Sequence, residues 1–397
     1  MFKLERRFLE WTERHLRLIM LIAFCVIGIL IRWPLREFVS GDARFFLLPW
    51  YDKIKETGLT KQVGDYNLMY QALIGCMTQL PIKPLYAYKI LSILFDYVLA
   101  ASTAFLTGVF AKEDKKWKQT IVFGIVLLSP LVVLNSAAWA QCDSIYVCFA
   151  VLSLLALCKE RYVWAMLLLG VSFSFKLQAV FLLPVFLFVY YSRRQFSVFL
   201  FLLIPLAMCL ACLPSIFFGR NLAEVFLIYF KQTSRYYGMA LNYPSVWVLL
   251  AEGDSSLAYW KLRVPAMIIT VVALAMLMVY CLRSKIQMKG KNLLSMAFLL
   301  CFTCVIFLPS MHERYGYLYE ILAIVLAVLI PQTAPLCAGL MVVTICTYGN
   351  YLFYYDGIPI TALAVANLLI YGAYIWVLNK NMERLPAYED EIQPIAS

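Results

Sequence analysis

The sequence predicts an all-α polytopic membrane protein with about twelve transmembrane helices, within a range of roughly ten to thirteen. Three observations predict it. First, 63% of the 397 residues are hydrophobic and only 14% are charged, whereas a soluble domain is about half apolar and about a quarter charged. Second, the apolar residues fall in continuous runs of about 17–25, the length a spanning helix needs. Barrel strands would instead alternate apolar and polar residues over about ten positions, and a bilayer admits only these two architectures. Third, the formal net charge of +11 is gathered in short basic clusters between the runs. Such clusters set topology, and no acidic or basic tail points to a nucleic acid or other polyanion.

The runs fall at 18–36, 86–110, 120–136, 143–158, 162–176, 177–192, 197–218, 262–283, 292–309, 316–331, 334–351 and 359–378. The start, "MFKLERRFLEWTERHLRLIM", is basic and amphipathic and predicts an interfacial helix before the first span. "IRWPLREF" after that span lacks a small-residue cleavage site, so the span is expected to be retained. Residues 162–192 are short for two helices and long for one. With two, the clusters "AKEDKKWKQ", "CKERY", "YYSRRQ", "LRSKIQMKGKN" and "LNKNMER" all share the side of the N-terminus, which is then cytoplasmic, as is the C-terminus. With one, they split between sides. Residues 37–85 and 219–261 remain as two long outer loops, the first expected to carry short interfacial helices. No linker divides the chain and no repeat is visible, so 1–397 reads as a single membrane domain. Twelve cysteines are scattered through it. The pairs Cys209/Cys212 and Cys301/Cys304 have CxxC spacing but lie in apolar runs without nearby His, Asp or Glu, and read as small hydrophobes.

This topology sorts the unusual residues onto the outer side. Asp42 lies in "VSGDARFFLLPWYDKIKETG". Trp139, Gln141 and Asp143 lie in "NSAAWAQCDSIY", and Lys176 and Gln178 in "SFSFKLQAVFLLP". Arg235 and Asn242 lie in "SRYYGMALNYPSVW", His312, Glu313 and Arg314 in "PSMHERYGY", and Asp356 in "GNYLFYYDG". Ionisable groups at membrane depth are costly and mark sites by default. Several have plainer readings. Asp356 reads as an ordinary loop carboxylate. Tyr315, Tyr317 and Tyr319, and on one reading Trp139, form an interfacial aromatic belt. Lys176 either snorkels to headgroups or serves the site. Lys89 and Asp96, seven apart on one helical face, pair as structural glue. The run "MHERY" resists such a reading, because a tight turn needs no His-Glu-Arg sequence. Arg and Lys suit a phosphate, a neighbouring carboxylate suits a general base, and the apolar body suits a lipid tail. Together they describe an enzyme that takes a group from a lipid phosphate at the outer leaflet, and a sugar on polyprenyl phosphate is the natural donor.

At these residues the sequence resembles the GT-C superfamily of membrane glycosyltransferases, over roughly residues 30–320. It looks most like bacterial relatives of the eukaryotic enzymes that use dolichyl-phosphate mannose or glucose. "GDARFFLLPWYDKI" resembles the first-loop motif with its acidic residue. "GDYNLMY", with Asp65 and Tyr66, resembles the second part of that loop. "YKILSILFDYVLA" resembles the lysine-and-aspartate helix that follows. "WAQCDSIY" resembles a W-G-Q-x-D turn, with Ala140 where Gly is usual. "FKLQAVFLLPV" resembles a lysine-containing turn, "LNYPSVW" an Asn-to-Trp segment, and "MHERY" the His-Glu-basic motif of the last conserved turn.

The resemblance implies a GT-C-like fold, with Asp42 as catalytic base and His312 and Arg314 on the donor phosphate. Lys176 is implied as a second contact. The paired acidic motif of metal-dependent oligosaccharyltransferases is missing, so no cofactor is expected, although Asp42, Asp52 and Asp65 in one loop leave a divalent metal open. The expected activity is inverting transfer of mannose, glucose or galactose from the lipid phosphate to a glycan or lipid-linked acceptor, on the outer face of a bacterial plasma membrane. A cell-wall or capsule glycan is the expected acceptor class. Two rivals make different demands. A lipid-linked-sugar flippase needs ionisable groups near the midplane and repeated halves. A polysaccharide polymerase or ligase needs an arginine clamp in a large outer loop, for which Arg220, Arg235 and Arg263 are candidates.

Overall fold

The computed structural model describes residues 3–233, 235–251 and 256–384. α1 (Lys3–Arg32) is one unbroken helix. No Gly or Pro lies between Lys3 and Ile27, so the amphipathic start continues the first span and does not form the separate interfacial helix expected. Pro34 sits in the 3₁₀ turn Trp33–Glu37 that ends it. The first loop carries α2 (Leu48–Thr57) and α3 (Leu68–Met77), the short helices its amphipathic pattern predicts. α4 (Pro84–Phe110) and α5 (Lys115–Leu128) follow. Ser129-Pro130 then bends the chain by 45° into α6 (Pro130–Val133).

Next come α7 (Asp143–Cys158), α8 (Tyr162–Phe173), α9 (Leu183–Arg193), α10 (Leu203–Ala211), α11 (Leu213–Phe217) and α12 (Glu224–Thr233). The second loop holds β1 (Ala240–Leu241) and α13 (Trp247–Leu250). α14 (Ser256–Arg283) and α15 (Gly290–Phe307) lead to β2 (Met311–His312). α16 (Tyr317–Leu329), α17 (Ala334–Phe353) and α18 (Ile360–Asn381) complete the described chain.

Among the described residues, six helices are long and apolar enough to cross a bilayer: α1, α4, α14, α15, α17 and α18. The bent α5–α6 pair would make a seventh. The count of about twelve is therefore not met by length. The remaining apolar runs form helices of 10–17 residues, about 15–26 Å long at about 1.5 Å per residue, against a hydrocarbon core of about 30 Å. Backbone breaks explain the shortening. Lys176 is extended (φ −146°, ψ 142°) between α8 and a 3₁₀ turn, and prolines open α9 and α11. Residues 162–192 thus form two separate helical segments.

The centre of the bundle is α15, α16 and α7. Every residue of α16 from Tyr317 to Leu326 is buried. α15 is 83% buried over its apolar window, against 11% for α1 and 17% for α14. These outer helices present Ile22, Val26 and Leu30, and Ile268, Val271 and Met276, to the surroundings. Such surfaces are costly in water at about 25 cal/mol per Å² and belong against lipid. α7 packs on α4 and α8, α8 on α10, and α16 on α15 and α17.

The basic clusters meet at one end. Glu160 pairs with Arg193 (3.6 Å) and Lys289 (3.8 Å), and Arg193 Nε donates to the Met288 carbonyl (2.7 Å). Asn292 Nδ2 donates to the Glu383 carbonyl (2.7 Å). Four of the five clusters are thereby joined. α15 runs from this end to the "MHERY" turn, a separation of about 27 Å for its 18 residues.

Two sequence expectations are corrected in the core. Asp96 does not pair with Lys89. It accepts from Arg32 Nη2 (2.8 Å) and Nε (3.1 Å), from Ser136 (2.5 Å) and from Ser144. Lys89 Nζ donates instead to the carbonyls of Leu35 (2.6 Å), Arg36 (3.2 Å) and Phe38 (2.7 Å), tying down the start of the first loop. Both residues act as glue, but to partners that the spacing along α4 could not reveal. Tyr317 and Tyr319 form no interfacial belt. Both are buried, with hydroxyls bonded to Ser144 (2.9 Å) and Tyr243 (2.6 Å).

Candidate active site

Two π-helical turns build the site. One, Ala43–Leu47, begins immediately after Asp42. The other, Leu134–Ala138, ends immediately before Trp139. Such wide turns are rare and recur at functional sites, because they displace side chains from the regular helical track. Ser40 Oγ joins the two by donating to the Trp139 carbonyl (3.0 Å) while accepting from the Ala43 amide (3.1 Å). Ala140 then turns the chain with φ +63°. This is the left-handed conformation that glycine adopts freely and that costs another residue about 1–2 kcal/mol. The turn aims Trp139 and Gln141 at one carboxylate. Asp42 Oδ2 accepts from Trp139 Nε1 (2.9 Å) and Gln141 Nε2 (2.8 Å), and Oδ1 accepts from the Tyr351 hydroxyl (2.6 Å). Tyr351 also stacks on Trp139, with ring centroids 4.7 Å apart, and Tyr66 OH donates to Gln141 Oε1 (2.5 Å).

A second carboxylate lies beside the first. Asp143 opens α7 and accepts from Lys176 Nζ (2.6 Å) and Asn135 Nδ2 (2.9 Å). Lys176 is only 4% exposed and lies 5.5 Å from the Tyr66 ring centroid. It does not snorkel to headgroups, because the extended break before α9 points it inward to Asp143.

The "MHERY" turn closes the site. β2 pairs in parallel with β1, Ala240 opposite Met311 and Leu241 opposite His312, and Asn242 bridges to His312. The second loop is thus stitched onto the turn. Arg314 Nη1 lies 3.6 Å from Asp42 Oδ2 and 3.7 Å from Glu313 Oε1, and its Nε lies 3.7 Å from Asp143 Oδ2. These are ion-pair separations without hydrogen bonds, and Arg314 Nε and Glu313 Oε2 are buried with no hydrogen-bond partner. The His312 ring packs edge-on against Tyr236 (5.0 Å) and Tyr315 (5.2 Å). Burial, and then the Arg314 charge, push its pKa down to about 3. His312 is therefore a neutral imidazole near neutral pH and offers one hydrogen bond, not a positive charge. Burial raises the Glu313 carboxyl to about 7, against the pull of Arg314.

The structure thus brings Asp42, Trp139, Gln141, Tyr66, Asp143, Lys176, His312, Glu313 and Arg314 together. Gln178 reaches the Tyr315 hydroxyl at the edge of this group. Asp65 and Arg235 pair with each other on the rim, where Arg235 also lies 5.4 Å from the Phe46 ring. Asn242 contributes through its backbone, at φ +60°. Lys89 lies outside the site, and Asp356 is exposed. Tyr351 and Asn135 escaped sequence reasoning. The signal for Tyr351 was its three-residue spacing from Tyr348, which puts two rings on one face of α17, and both contact Trp139. Among the described residues, no three of His, Cys, Asp and Glu are grouped to hold a metal ion. No protein-family model matches the chain, and no curated protein matches it.

Proposed function

We propose that the protein is an inverting, polyprenyl-phosphate-sugar-dependent glycosyltransferase of GT-C type, acting at the outer face of a bacterial plasma membrane. The observation that carries this reading is the Asp42–Arg314 pair. A carboxylate oriented by three donors lies 3.6 Å from a largely buried guanidinium whose Nε–H has no hydrogen-bond partner. Asp42 would take the proton from an acceptor hydroxyl, which attacks the anomeric carbon opposite the phosphate. The C–O bond to the phosphate breaks, the configuration inverts, and the growing negative charge falls on Arg314. His312 would add a neutral N–H donor. Lys176, held by Asp143, would add positive field more than direct contact. Charge stabilisation of this kind is strongest where water is excluded. The sugar would be mannose, glucose or galactose, and the acceptor a glycan or lipid-linked sugar.

In this reading all twelve apolar runs belong to the membrane domain. The shorter ones are tolerated because irregular backbone at membrane depth is allowed where protein covers it. The arginine clamp of a polymerase or ligase finds little support. Arg220 is engaged by Glu224, Gln62 and the Lys61 carbonyl, Arg235 by Asp65, and Arg263 lies over Trp260.

The test is release of polyprenyl phosphate from polyprenyl-phosphate mannose, glucose or galactose by the purified protein. Asp42→Asn should lower turnover by about 10²–10⁴-fold while leaving the protein folded. Normal turnover in that variant removes the assignment. Movement of the lipid-linked sugar across vesicles without release would favour a flippase.

A further inference from the structure

Glu313 has no role in the mechanism above, yet it is buried at 3% exposure beside Arg314. Its unpartnered Oε2 belongs to a residue lining a narrow crevice, too tight for a water molecule, between the second loop, the "MHERY" turn, α16, α17 and α18, shared with Glu320, Tyr243, Tyr319, Thr344 and Asn367. The polar atoms there are unbalanced. Thr344 donates to Glu320 Oε1 (2.9 Å), the Tyr243 and Tyr319 hydroxyls bond each other (2.6 Å), and Asn367 Nδ2 donates to Tyr243 (3.2 Å) and to the Pro244 carbonyl (3.0 Å). What remains without partners is Glu313 Oε2, Glu320 Oε2 and Asn367 Oδ1. All three are acceptors when the acids are ionised. Buried acceptors without donors are costly, and protonating a carboxyl supplies a donor.

The charges next to Arg314 are unbalanced in the same sense. Three carboxylates, Asp42, Asp143 and Glu313, face two cations, Arg314 and Lys176. Lys176 is committed to Asp143 at 2.6 Å. An arriving phosphate must therefore share Arg314 with Asp42 and Glu313. Neutralising Glu313 removes one competitor without disturbing the catalytic carboxylate.

We infer that Glu313 is a positioning residue whose carboxyl takes up a proton when a phosphate anion occupies Arg314 and releases it when the anion leaves. The inference rests on the phosphate reading of Arg314. A phosphate anion cancels the pull of Arg314 on Glu313 and adds repulsion, so binding and protonation favour each other reciprocally. Because burial already lifts Glu313 to about 7, the exchange falls near neutral pH. Other groups around Glu313 are accounted for. Within its own turn, His312 is held near 3 and is neutral in this range, and Arg314 keeps its charge. Asp42 and Asp143 approach from the first loop and the start of α7. Lys176 is tied to Asp143. The phenols Tyr243, Tyr315, Tyr319, Tyr348 and Tyr351 are buried and neutral throughout this range, and the Cys337 thiol on α17 interacts with Glu320. Glu320 is the one competing acid, so the test includes it.

The experiment is calorimetric titration of the full chain in lipid nanodiscs across neutral pH. The main probe is dibutyl phosphate, a diester whose single charge does not change over that range. Inorganic phosphate and a long-chain prenyl phosphodiester serve as comparison arms. The expected result is diester affinity that falls about tenfold per pH unit above about pH 7, with proton uptake seen as a buffer-dependent heat. Glu313→Gln should keep the low-pH affinity and lose the slope, while Glu320→Gln keeps the slope. Tighter binding of the long-chain diester assigns the anion to a lipid headgroup. Equal or tighter binding of inorganic phosphate assigns it to the free anion, and either supports the coupling if the slope is present. A wild-type affinity independent of pH, the same slope in Glu313→Gln, or a slope lost in Glu320→Gln overturns the inference while leaving Arg314 as an anion site. Failure of every probe to bind at any pH overturns the phosphate reading itself.

Discussion

Arg314 carries more of the site than any other side chain, since it is within 3.7 Å of three carboxylates. Removing one partner from a buried charge group costs about 3–5 kcal/mol because the others are left uncompensated. Arg314→Ala should therefore lose stability as well as activity. Arg314→Lys is the sharper variant. It keeps a positive charge but loses the planar fork that holds a phosphate through two bonds. It should lower kcat/KM for the lipid-phosphate donor by about 10²–10³-fold, with a smaller change in the acceptor KM. A loss confined to acceptor affinity would rule out the phosphate role. Asp42, His312 and Arg314 were legible in the sequence because ionisable groups are rare in an apolar chain. Tyr351 was not. With 26 tyrosines and 27 phenylalanines, an aromatic that bonds the central carboxylate looks like one that fills the core.

At the scale of elements, the two π-helical turns and the reversal at Ala140 decide where side chains point. Apolar periodicity gives the helices, but a one-residue widening of a turn leaves no mark on it. Ala140 stands where the turn motif that the sequence resembles has a glycine, and its positive φ is a conformation that glycine adopts freely. Ala140→Gly should change stability by no more than about 1 kcal/mol. Relief of about 1–2 kcal/mol of strain is offset by about 0.4–1 kcal/mol of unfolded-chain entropy and about 0.8 kcal/mol for the lost buried methyl. Ala140→Val places a β-branched residue at positive φ in a fully buried turn. It should lower the melting temperature sharply and abolish transfer. A fully active Val variant would show that the turn does not position Trp139 and Gln141. The breaks that shorten α8–α11 were not read from the sequence. Lys176, Pro184 and Pro214 lie in runs that are continuous by composition, and only packing around α7, α8 and α10 shows that these runs stay inside the bundle as separate short helices.

For the whole molecule, charge sorting was the most informative reading of the sequence. Clusters more than two hundred residues apart, from "CKERY" to "LNKNMER", meet at one end, and α15 separates them from the site. The proposed topology predicts that an epitope inserted at the exposed Gly219 is accessible outside sealed, right-side-out vesicles. One inserted at Lys289 should become accessible only after permeabilisation. Labelling of both from the same side would rule out the arrangement. The sequence by itself determined the helical class, the sorting of charged turns, and the small set of ionisable residues from which a site could be made. These follow from bilayer energetics, which penalise every polar group one residue at a time and so act on composition and order alone. Tertiary structure decided the pairings: Asp96 with Arg32 and not Lys89, Lys176 with Asp143 and not the headgroups, Tyr351 with Asp42, and Glu313 in a narrow crevice shared with Glu320. Pairing depends on distance between helices far apart in the chain. In a uniformly apolar bundle, no periodicity along one helix specifies which face of another it will meet.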